Sequence, residues 1–526
     1  MDSTNSSSRE HHTKPVMRKR CKYQVRWFYS KGAFLVLLWT TLVSATVGSY
    51  GTDLGTRILT ELDEQDRFQW FIALPFIAIP LLGWLADAKL GNYRVFKVSC
   101  FFLLIGTIIN CAQILYFPLL NSIALRYTSA VITVLGYGVC ATNIAVCLVT
   151  ALQLGLDQMP DASSTNVSSF ISWFIFSINF GCWIADWLSS TLMYCINNLA
   201  INDFQKIQLF SLFSVLCIVL ICSSMFLLAP KWLTIEPKSP KALKTIYQVL
   251  KFAAKHKAPI YRSALTYWEE DVPSRLDLGK TKYGGPFTIE QVENVKTFLR
   301  IFVMSFPIFI IVTAFGRIHM DTNIVMFDSV QNLNLNITNC TSSIIYTFSF
   351  NPWWSGIVTT VVYEFALYPL IRNKVPSSIR RIGGVALLIL LLNMLKLAIH
   401  FSPYAQASVL LMRALSGFLS VLLINGILEF VCAQSPYNMR GLLTGYMMLL
   451  LIIAISLSNL STDIGLNLST KLYLSTALSV IGLVLYCLLA RWYKRRVRDE
   501  DYNAHRVVEE VYDRYLSHVQ YRGRQE

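Results

Sequence analysis

Apolar runs of about 20 residues recur along the chain and are separated by shorter polar segments. A helix rises about 1.5 Å per residue, so a run of this length crosses a hydrocarbon core of roughly 30 Å. The pattern predicts an all-α membrane protein with twelve transmembrane helices. The predicted spans are approximately 33–52, 68–86, 95–117, 127–152, 168–191, 207–229, 299–317, 351–372, 381–402, 407–432, 439–460 and 470–492.

The predicted spans divide six and six around one long polar segment, 230–298. This division predicts two six-helix bundles, 32–229 and 299–492. A basic tail, 1–31, precedes the first bundle, and a second tail, 493–526, follows the last. The central segment is either a tether between the bundles or part of a gate.

Two patterns predict helices in the central segment. A set of apolar residues recurs at helical spacing among lysines, which is typical of a helix lying along a membrane surface. These residues are Leu243, Ile246, Tyr247 and Leu250. Further on, Thr288 and Gln291 have the spacing of a capping box, so a helix is expected to begin there and to continue into the seventh span.

Composition and charge agree with a membrane protein. The 526 residues are 54% hydrophobic and only 15% charged, whereas soluble domains are about 25% charged. The net charge of +15 comes from lysines and arginines that flank the apolar runs, so it indicates topology and not a nucleic-acid partner. The basic segments are 87–97, 230–298, 372–381 and 493–526, whereas Asp53–Arg67 is acidic. Both termini are therefore predicted to be cytosolic.

The lipid bilayer is thus a predicted partner, and the central segment and the C-terminal tail are candidate contacts for cytosolic proteins. No sorting signal selects between the plasma membrane and an endolysosomal membrane. No Cys-x-x-Cys or His-rich spacing occurs, so no metal site is predicted. No catalytic triad, carboxylate pair or phosphate loop indicates an enzyme.

Glycosylation signals agree with this topology. Asn336 and Asn339 begin sequons in the loop after the seventh span, and Asn459 and Asn467 begin sequons between spans eleven and twelve. The charge pattern places both loops on the outer or lumenal side, where N-glycans are attached.

One acidic residue falls inside an apolar span. Glu429 lies near one end of 407–432, and a carboxylate at membrane depth normally faces a bundle interior or a wet cavity. Glu429 is therefore a candidate functional residue. The alternative is a carboxylate close enough to the cytosolic edge to be solvated or paired structurally.

A short turn between spans two and three carries a further motif. Gly83, Asp87, Gly91 and Arg94 recur there at a spacing that resembles the loop signature of the major facilitator superfamily. Glycine permits a tight turn and a close helix approach, and Asp87 beside Arg94 is expected to form a charge contact that breaks when two bundles rock apart.

Three longer stretches resemble the proton-coupled oligopeptide transporters, in the peptide/histidine branch of solute carrier family 15. The stretch 170–181 is similar to the family's fifth span, 426–436 is similar to its tenth span, and 262–296 is similar to the central loop of this branch. The resemblance implies two six-helix bundles of the major facilitator fold, alternating access, and a peptide or amino-acid substrate with the proton as coupling ion. No other cofactor is implied.

The resemblance also implies roles for single residues. Glu429 matches the acid that receives the amino terminus of a peptide, and Asn179 matches an amide that bonds its backbone. Asn351 matches a further amide of the family, and Tyr50 aligns with the second Tyr of the first-span signature. For each amide, bonding to a neighbouring helix is the alternative.

The chain departs from the family where charge is usually concentrated. The first-span Glu-x-x-Glu-Arg is replaced within 42–46, and the fourth-span Lys aligns with Leu148. The favoured function is a secondary-active transporter of small peptides or histidine-like amino acids. The alternatives are an uncoupled or differently specific carrier, and a transport-inactive membrane scaffold or sensor.

Overall fold

The computed structural model describes residues 30–51, 74–116, 123–159, 164–194, 203–233, 242–256, 274–332, 352–367, 377–400, 405–436, 439–463 and 468–493. Within them, twelve helices occupy the positions of the predicted spans. They are α1 (Lys31–Gly51), α2 (Ala78–Leu85), α3 (Asn92–Tyr116), α4 (Ile123–Asp157), α5 (Ser164–Tyr194), α6 (Asp203–Leu227), α7 (Ile289–Asn332), α8 (Pro352–Val362), α9 (Ser378–His400), α10 (Ala405–Gln434), α11 (Arg440–Asp463) and α12 (Leu468–Trp492). The all-helical prediction is confirmed.

Two of these helices continue in irregular turns. A 3-10 turn, Leu74–Ile77, leads into α2, and π-helical turns follow α2 at Ala86–Leu90 and α8 at Tyr363–Leu367. Among the described residues, eight helices are long and apolar enough to cross a membrane, and shorter apolar stretches lie in α1 and α6. Because π turns often occur at functional sites, the two that follow α2 and α8 are candidate functional positions.

Each half of the chain has its own apolar core. Leu35, Trp39 and Phe170 belong to a core formed mainly by α1, α3, α4, α5 and α6, and Trp39 stacks on Phe96 with ring centroids 5.2 Å apart. Ile301 and other residues of α7, α9, α10, α11 and α12 form the second core. The helices therefore form two bundles, while the boundaries predicted for the bundles and tails stay predictions.

One face of the molecule gathers both ends of the helical chain, and we call it the termini face. Ser30, just before α1, donates from Oγ to the carbonyl oxygen of Gln158 at the end of α4 over 3.1 Å. Tyr493, just after α12, donates from its hydroxyl to Oε1 of Gln434 at the end of α10 over 3.2 Å. The cytosolic assignment of this face stays a prediction.

The central segment folds against the second bundle. The predicted capping box is confirmed, because the Thr288 amide donates to Gln291 Oε1 over 3.2 Å and the Gln291 amide donates to Thr288 Oγ1 over 3.3 Å. A linker helix, Ala242–Lys255, buries Ile246 and Val249 in a small cluster with the first turns of α7.

The other apolar residues predicted for this helix, Leu243, Tyr247 and Leu250, are exposed. They form a stripe separate from the face that Ile246 and Val249 turn toward α7. Ile246 was expected to belong to the same surface-lying face, and the structure instead packs it into the protein because α7 supplies apolar partners. A membrane contact of the exposed stripe stays a prediction.

Ion pairs hold the loop before α7 in place. Lys280 and Lys296 each pair with both Asp277 and Glu293. Burial alone would raise the pKa of Asp277, but hydrogen bonds from Lys280, Lys296 and Ser274 hold that pKa well below its ordinary range. This loop is therefore anchored to the start of α7.

Candidate functional site

Helices α2 and α11 cross in backbone contact at the termini face. A Cβ atom added to Gly83 would overlap the carbonyl oxygen of Gly441, and one added to Gly445 would press on the backbone of Ile79 and Pro80. Asp87, only 1% exposed, accepts a hydrogen bond on Oδ2 from the amide of Leu442 over 2.9 Å. The two bundles therefore meet here through small residues and one buried carboxylate.

This crossing corrects the partner predicted for Asp87. Arg94 is exposed, and Asp87 bonds to the backbone of α11 in the opposite bundle. Gly91 has φ +79, a left-handed conformation that glycine adopts without strain, and it ends the π-helical turn before α3. The motif thus supplies a contact between bundles, as expected, through a different atom pair.

A second polar contact joins α4 to α11 nearby. Gln153 donates from Nε2 to Oγ1 of Thr444 over 2.9 Å, and both side chains are buried. Because one member lies in each bundle, this bond must break if the bundles separate at the termini face.

Glu429 lies between a cation and a hydroxyl. Arg381, in the first turn of α9, forms an ion pair with Oε1 of Glu429 and also donates from Nη1 to the Tyr363 hydroxyl over 3.2 Å. Ser168, in α5 of the opposite bundle, donates from Oγ to Oε2 of Glu429 over 2.7 Å. The Glu429 carboxylate therefore has a charged partner in its own bundle and a neutral partner across the interface.

A second acid, Glu364, lies beside it in the π-helical turn after α8. It is 3% exposed, and Ser169 of α5 donates from Oγ to its Oε2 over 3.0 Å. One turn along α5, Ser172 accepts a hydrogen bond from Nδ2 of Asn425 in α10 over 2.8 Å. Oδ1 of Asn425 is buried and, within the described part of the chain, has no hydrogen-bond partner.

We call this group the carboxylate junction. Its seven members are Ser168, Ser169, Ser172, Glu364, Arg381, Asn425 and Glu429. Three serines of the first bundle bond to two acids and an amide of the second bundle. The junction contains two carboxyl groups but only one guanidinium group. The junction is therefore polar and short of positive charge in a setting where unpaired charge is costly.

Beyond the junction, pairs of aromatic side chains pack α5 against α8 and the turn that follows it. Trp173 and Phe365 lie edge to face with centroids 5.9 Å apart, and the rings of Trp183 and Trp354 are 5.7 Å apart. Between these pairs, a Cβ atom on Gly356 would lie 2.6 Å from Oδ1 of Asn179. Helices α5 and α8 therefore pack closely on both sides of Asn179.

The predicted site residues are thus placed as follows. Asn179 is buried, and its Nδ2 donates to the carbonyl oxygen of Ile175 over 2.8 Å, so its amide is turned to its own helix and to α8. Tyr50 lies in α1, whose described side chains end before it. Asn351 lies outside the described residues, and Asn179 donates within its own helix, away from the carboxylate junction.

The four sequons are only partly covered. Asn336, Asn339 and Asn467 lie outside the described residues, and Asn459 lies in the backbone of α11, near its end at Asp463. Glycosylation stays a prediction at all four positions.

Sequence reasoning missed the cation of the site. Arg381 was counted with the basic flank 372–381, because an arginine beside an apolar run is usually a topology signal. The structure turns it inward, and Glu429 thereby has a cationic partner from α9. The only sequence feature that could have indicated Arg381 is its position in the first turn of α9. The other basic residues of 372–381 flank the same span, so this position alone does not distinguish it from them.

No family model matches the chain, but solved structures do. An auto-inhibited POT family peptide transporter matches with a TM-score of 0.57 at 17% identity, over 88% of this chain and 98% of its own. The POT family transporter PepTSo matches over the same shares with a TM-score of 0.55 at 17% identity. A bacterial homologue of the iron transporter ferroportin, in its outward-facing state, matches with a TM-score of 0.58 at 12% identity, over 87% of this chain and 99% of its own.

At these identities the similarity establishes the fold, which is the twelve-helix, two-bundle fold of the major facilitator superfamily. The protein is an integral multi-pass membrane protein, and the matched structures are membrane transporters. POT family transporters, which three sequence stretches of this chain resemble, are thus among the solved structures that share its fold.

Proposed function

We propose that the protein is a secondary transporter that carries small peptides or histidine-like amino acids by alternating access. The observation that carries this proposal is the carboxylate junction, where hydrogen bonds run between bundles while the ion pair of Arg381 and Glu429 lies within one bundle. Bonds of the first kind can break as bundles rock, and the ion pair can remain intact until a solute arrives.

Opening at the termini face would break a defined set of bonds. Ser168 and Ser169 would leave with the first bundle, and the bonds of Asp87 to Leu442 and of Gln153 to Thr444 would separate with them. Each lost bond is replaced by water, so the net cost per bond is about 1 kcal/mol. A carrier needs such modest costs in order to populate both states.

The ion pair suits a zwitterionic solute. An ammonium group can replace Arg381 on Glu429, and the released guanidinium can bind the carboxylate of the same solute with two parallel hydrogen bonds. Arg381 would thereby take the role that the family gives to the fourth-span Lys. Asn179, Asn351 and Tyr50 remain the proposed polar contacts for the rest of the solute.

The test is uptake of labelled histidine and of a labelled histidine-containing dipeptide into proteoliposomes. We expect saturable uptake, with Glu429→Gln and Arg381→Ala each lowering it at least tenfold, the factor that about 1.4 kcal/mol of lost binding produces. The matched control is Glu290→Gln, because Glu290 is an exposed carboxylate in the first turn of α7, outside the junction.

Two outcomes would redirect the proposal. Saturable uptake that ignores an imposed pH gradient would identify an uncoupled carrier. Absence of saturable flux for both solutes would contradict this transport proposal, whereas equal uptake by Glu429→Gln and the wild type would remove only the anchor role of Glu429.

A further inference from the structure

We propose that Glu364 is a proton-binding site whose occupancy holds the carboxylate junction closed. The family resemblance assigns no role to this position. Proton binding by Glu364 and closure of the junction do not depend on the proposed function. Their coupling to solute transport rests on it.

The geometry places Glu364 between the bundles with a neutral partner. Its carboxyl group belongs to the second bundle, and its hydrogen-bond donor, Ser169, belongs to the first. Among the described residues Glu364 has no ion pair, whereas neighbouring Glu429 has Arg381. The two acids of the junction therefore differ in kind, since one is compensated by a cation and the other only by the hydroxyls of Ser169 and Ser172.

The charges around Glu364 favour its neutral form in the closed junction. Glu429, on α10, accepts a hydrogen bond from Ser168, the residue next to Ser169, and a carboxylate at that position repels a second negative charge. On its own helix the neighbouring Tyr363 is neutral, and from α9 Arg381 is turned to Glu429 and Tyr363. The charged residue of α5 is Asp186, 17 positions beyond Ser169, or about 25 Å along the helix.

Burial acts in the same direction. A carboxylate that is 3% exposed at membrane depth loses its hydration, and two serine hydroxyls do not replace it. When the bundles separate, water reaches Glu364 and hydration stabilises its carboxylate form. The closed junction therefore binds a proton more tightly than the open one, so the closed population falls as pH rises.

This difference couples a proton to the movement of the bundles. With the junction closed, Glu364 holds a proton; with the junction open at the termini face, the O–H bond breaks, the proton passes to water on that side, and the carboxylate remains. The Glu-x-x-Glu-Arg residues that the family carries in its first span are not required for this step.

The experiment measures the opening of the junction without any solute. Two fluorophores are attached through bio-orthogonal amino acids in place of Lys89 and Arg491, which are exposed at the termini-face ends of the first and second bundles. Energy transfer is recorded in nanodiscs from about pH 5 to about pH 8. We expect high transfer at low pH in the otherwise unchanged protein and a fall as pH rises.

Two variants make the test specific. Glu364→Gln keeps the shape and the acceptor oxygen of the neutral acid, so its energy transfer should stay high at every pH. Ser169→Ala removes a hydroxyl that bonds to Glu364 across the interface only in the closed junction, so it should move the midpoint downward by about one pH unit. Asp186→Asn, which changes the other acid of α5, should leave the midpoint of the wild type unchanged.

The outcomes separate this inference from the transport proposal. A pH response retained in Glu364→Gln, or a wild type with no pH response, would overturn the inference even if dipeptide uptake were intact. If Glu364→Gln does not fold, the Ser169→Ala midpoint decides, since an unmoved midpoint would equally overturn it. Absence of uptake would contradict the transport proposal, whereas the energy-transfer results would still decide the inference about Glu364.

Discussion

At the scale of single residues, Arg381 decides how Glu429 can exist inside the second bundle. The side chains of this ion pair are 16% and 14% exposed, so neither charge is fully hydrated. Breaking a buried pair by removing one partner leaves an uncompensated charge, which costs far more than replacing both partners by apolar side chains.

We therefore expect Arg381→Ala to lower the free energy of unfolding by about 3–5 kcal/mol and the double variant Arg381→Met with Glu429→Leu to lower it much less. Thermal unfolding of the purified protein in detergent measures the difference. If the losses of the single variants Arg381→Met and Glu429→Leu simply add up in the double variant, the two residues are not coupled.

At the scale of elements, small residues decide which helices approach. Gly181 of α5 lies against the backbone of Thr41 and the side chain of Ser44 in α1, and Ala45 is 3% exposed at the same contact. A long charged side chain at Ser44 or Ala45 would not fit so close a contact. Small residues on both helices thus permit the tight packing of α1 on α5.

The crossing of α2 and α11 gives a testable case at this scale. Gly83→Ala places a methyl group on the carbonyl of Gly441, so the closed state should lose population and energy transfer between the labelled positions 89 and 491 should fall at low pH. Gly384→Ala is the matched control, because an added Cβ there meets nothing within 4 Å. Equal transfer in both variants would mean that the crossing does not limit closure.

At the scale of the whole molecule, the polar contacts between bundles described above lie toward the termini face. Asp87, Gln153, Ser168 and Ser169 each bond to the opposite bundle near helix ends on that face. The structure therefore represents a state closed at the termini face, the state from which an alternating-access carrier must open.

The predicted membrane topology can be tested through the sites of glycosylation. Asn336→Gln with Asn339→Gln should remove glycan mass that a glycosidase also removes, whereas Asn5→Gln with Asn166→Gln should change nothing, because the charge pattern places those two sequons in the cytosol. Gel mobility and the protection of an N-terminal tag in sealed cells measure this. A tag accessible in intact cells, or glycans at Asn5, would reverse the predicted orientation.

Much of the architecture could be predicted because it depends on patterns that are local in the chain. The length of each apolar run predicts a helix, since the bilayer requires every backbone group to bond internally, and the capping box at Thr288 is read from four consecutive residues. The partners of polar side chains could not be predicted in this way. Asp87 was assigned to nearby Arg94 and instead bonds to Leu442, 355 positions away.

The sequence by itself determined that this chain spans a membrane with twelve helices, that an acid lies within the tenth helix and that glycines occur where α2 turns into α3. Only the tertiary structure decided that Arg381 pairs with Glu429, that Glu364 has only serine hydroxyls as partners and that three serines of α5 join the bundles. The physical reason is that helix formation in a bilayer follows from hydrophobicity along the chain, whereas the state of a buried charge depends on groups brought within about 3 Å by packing.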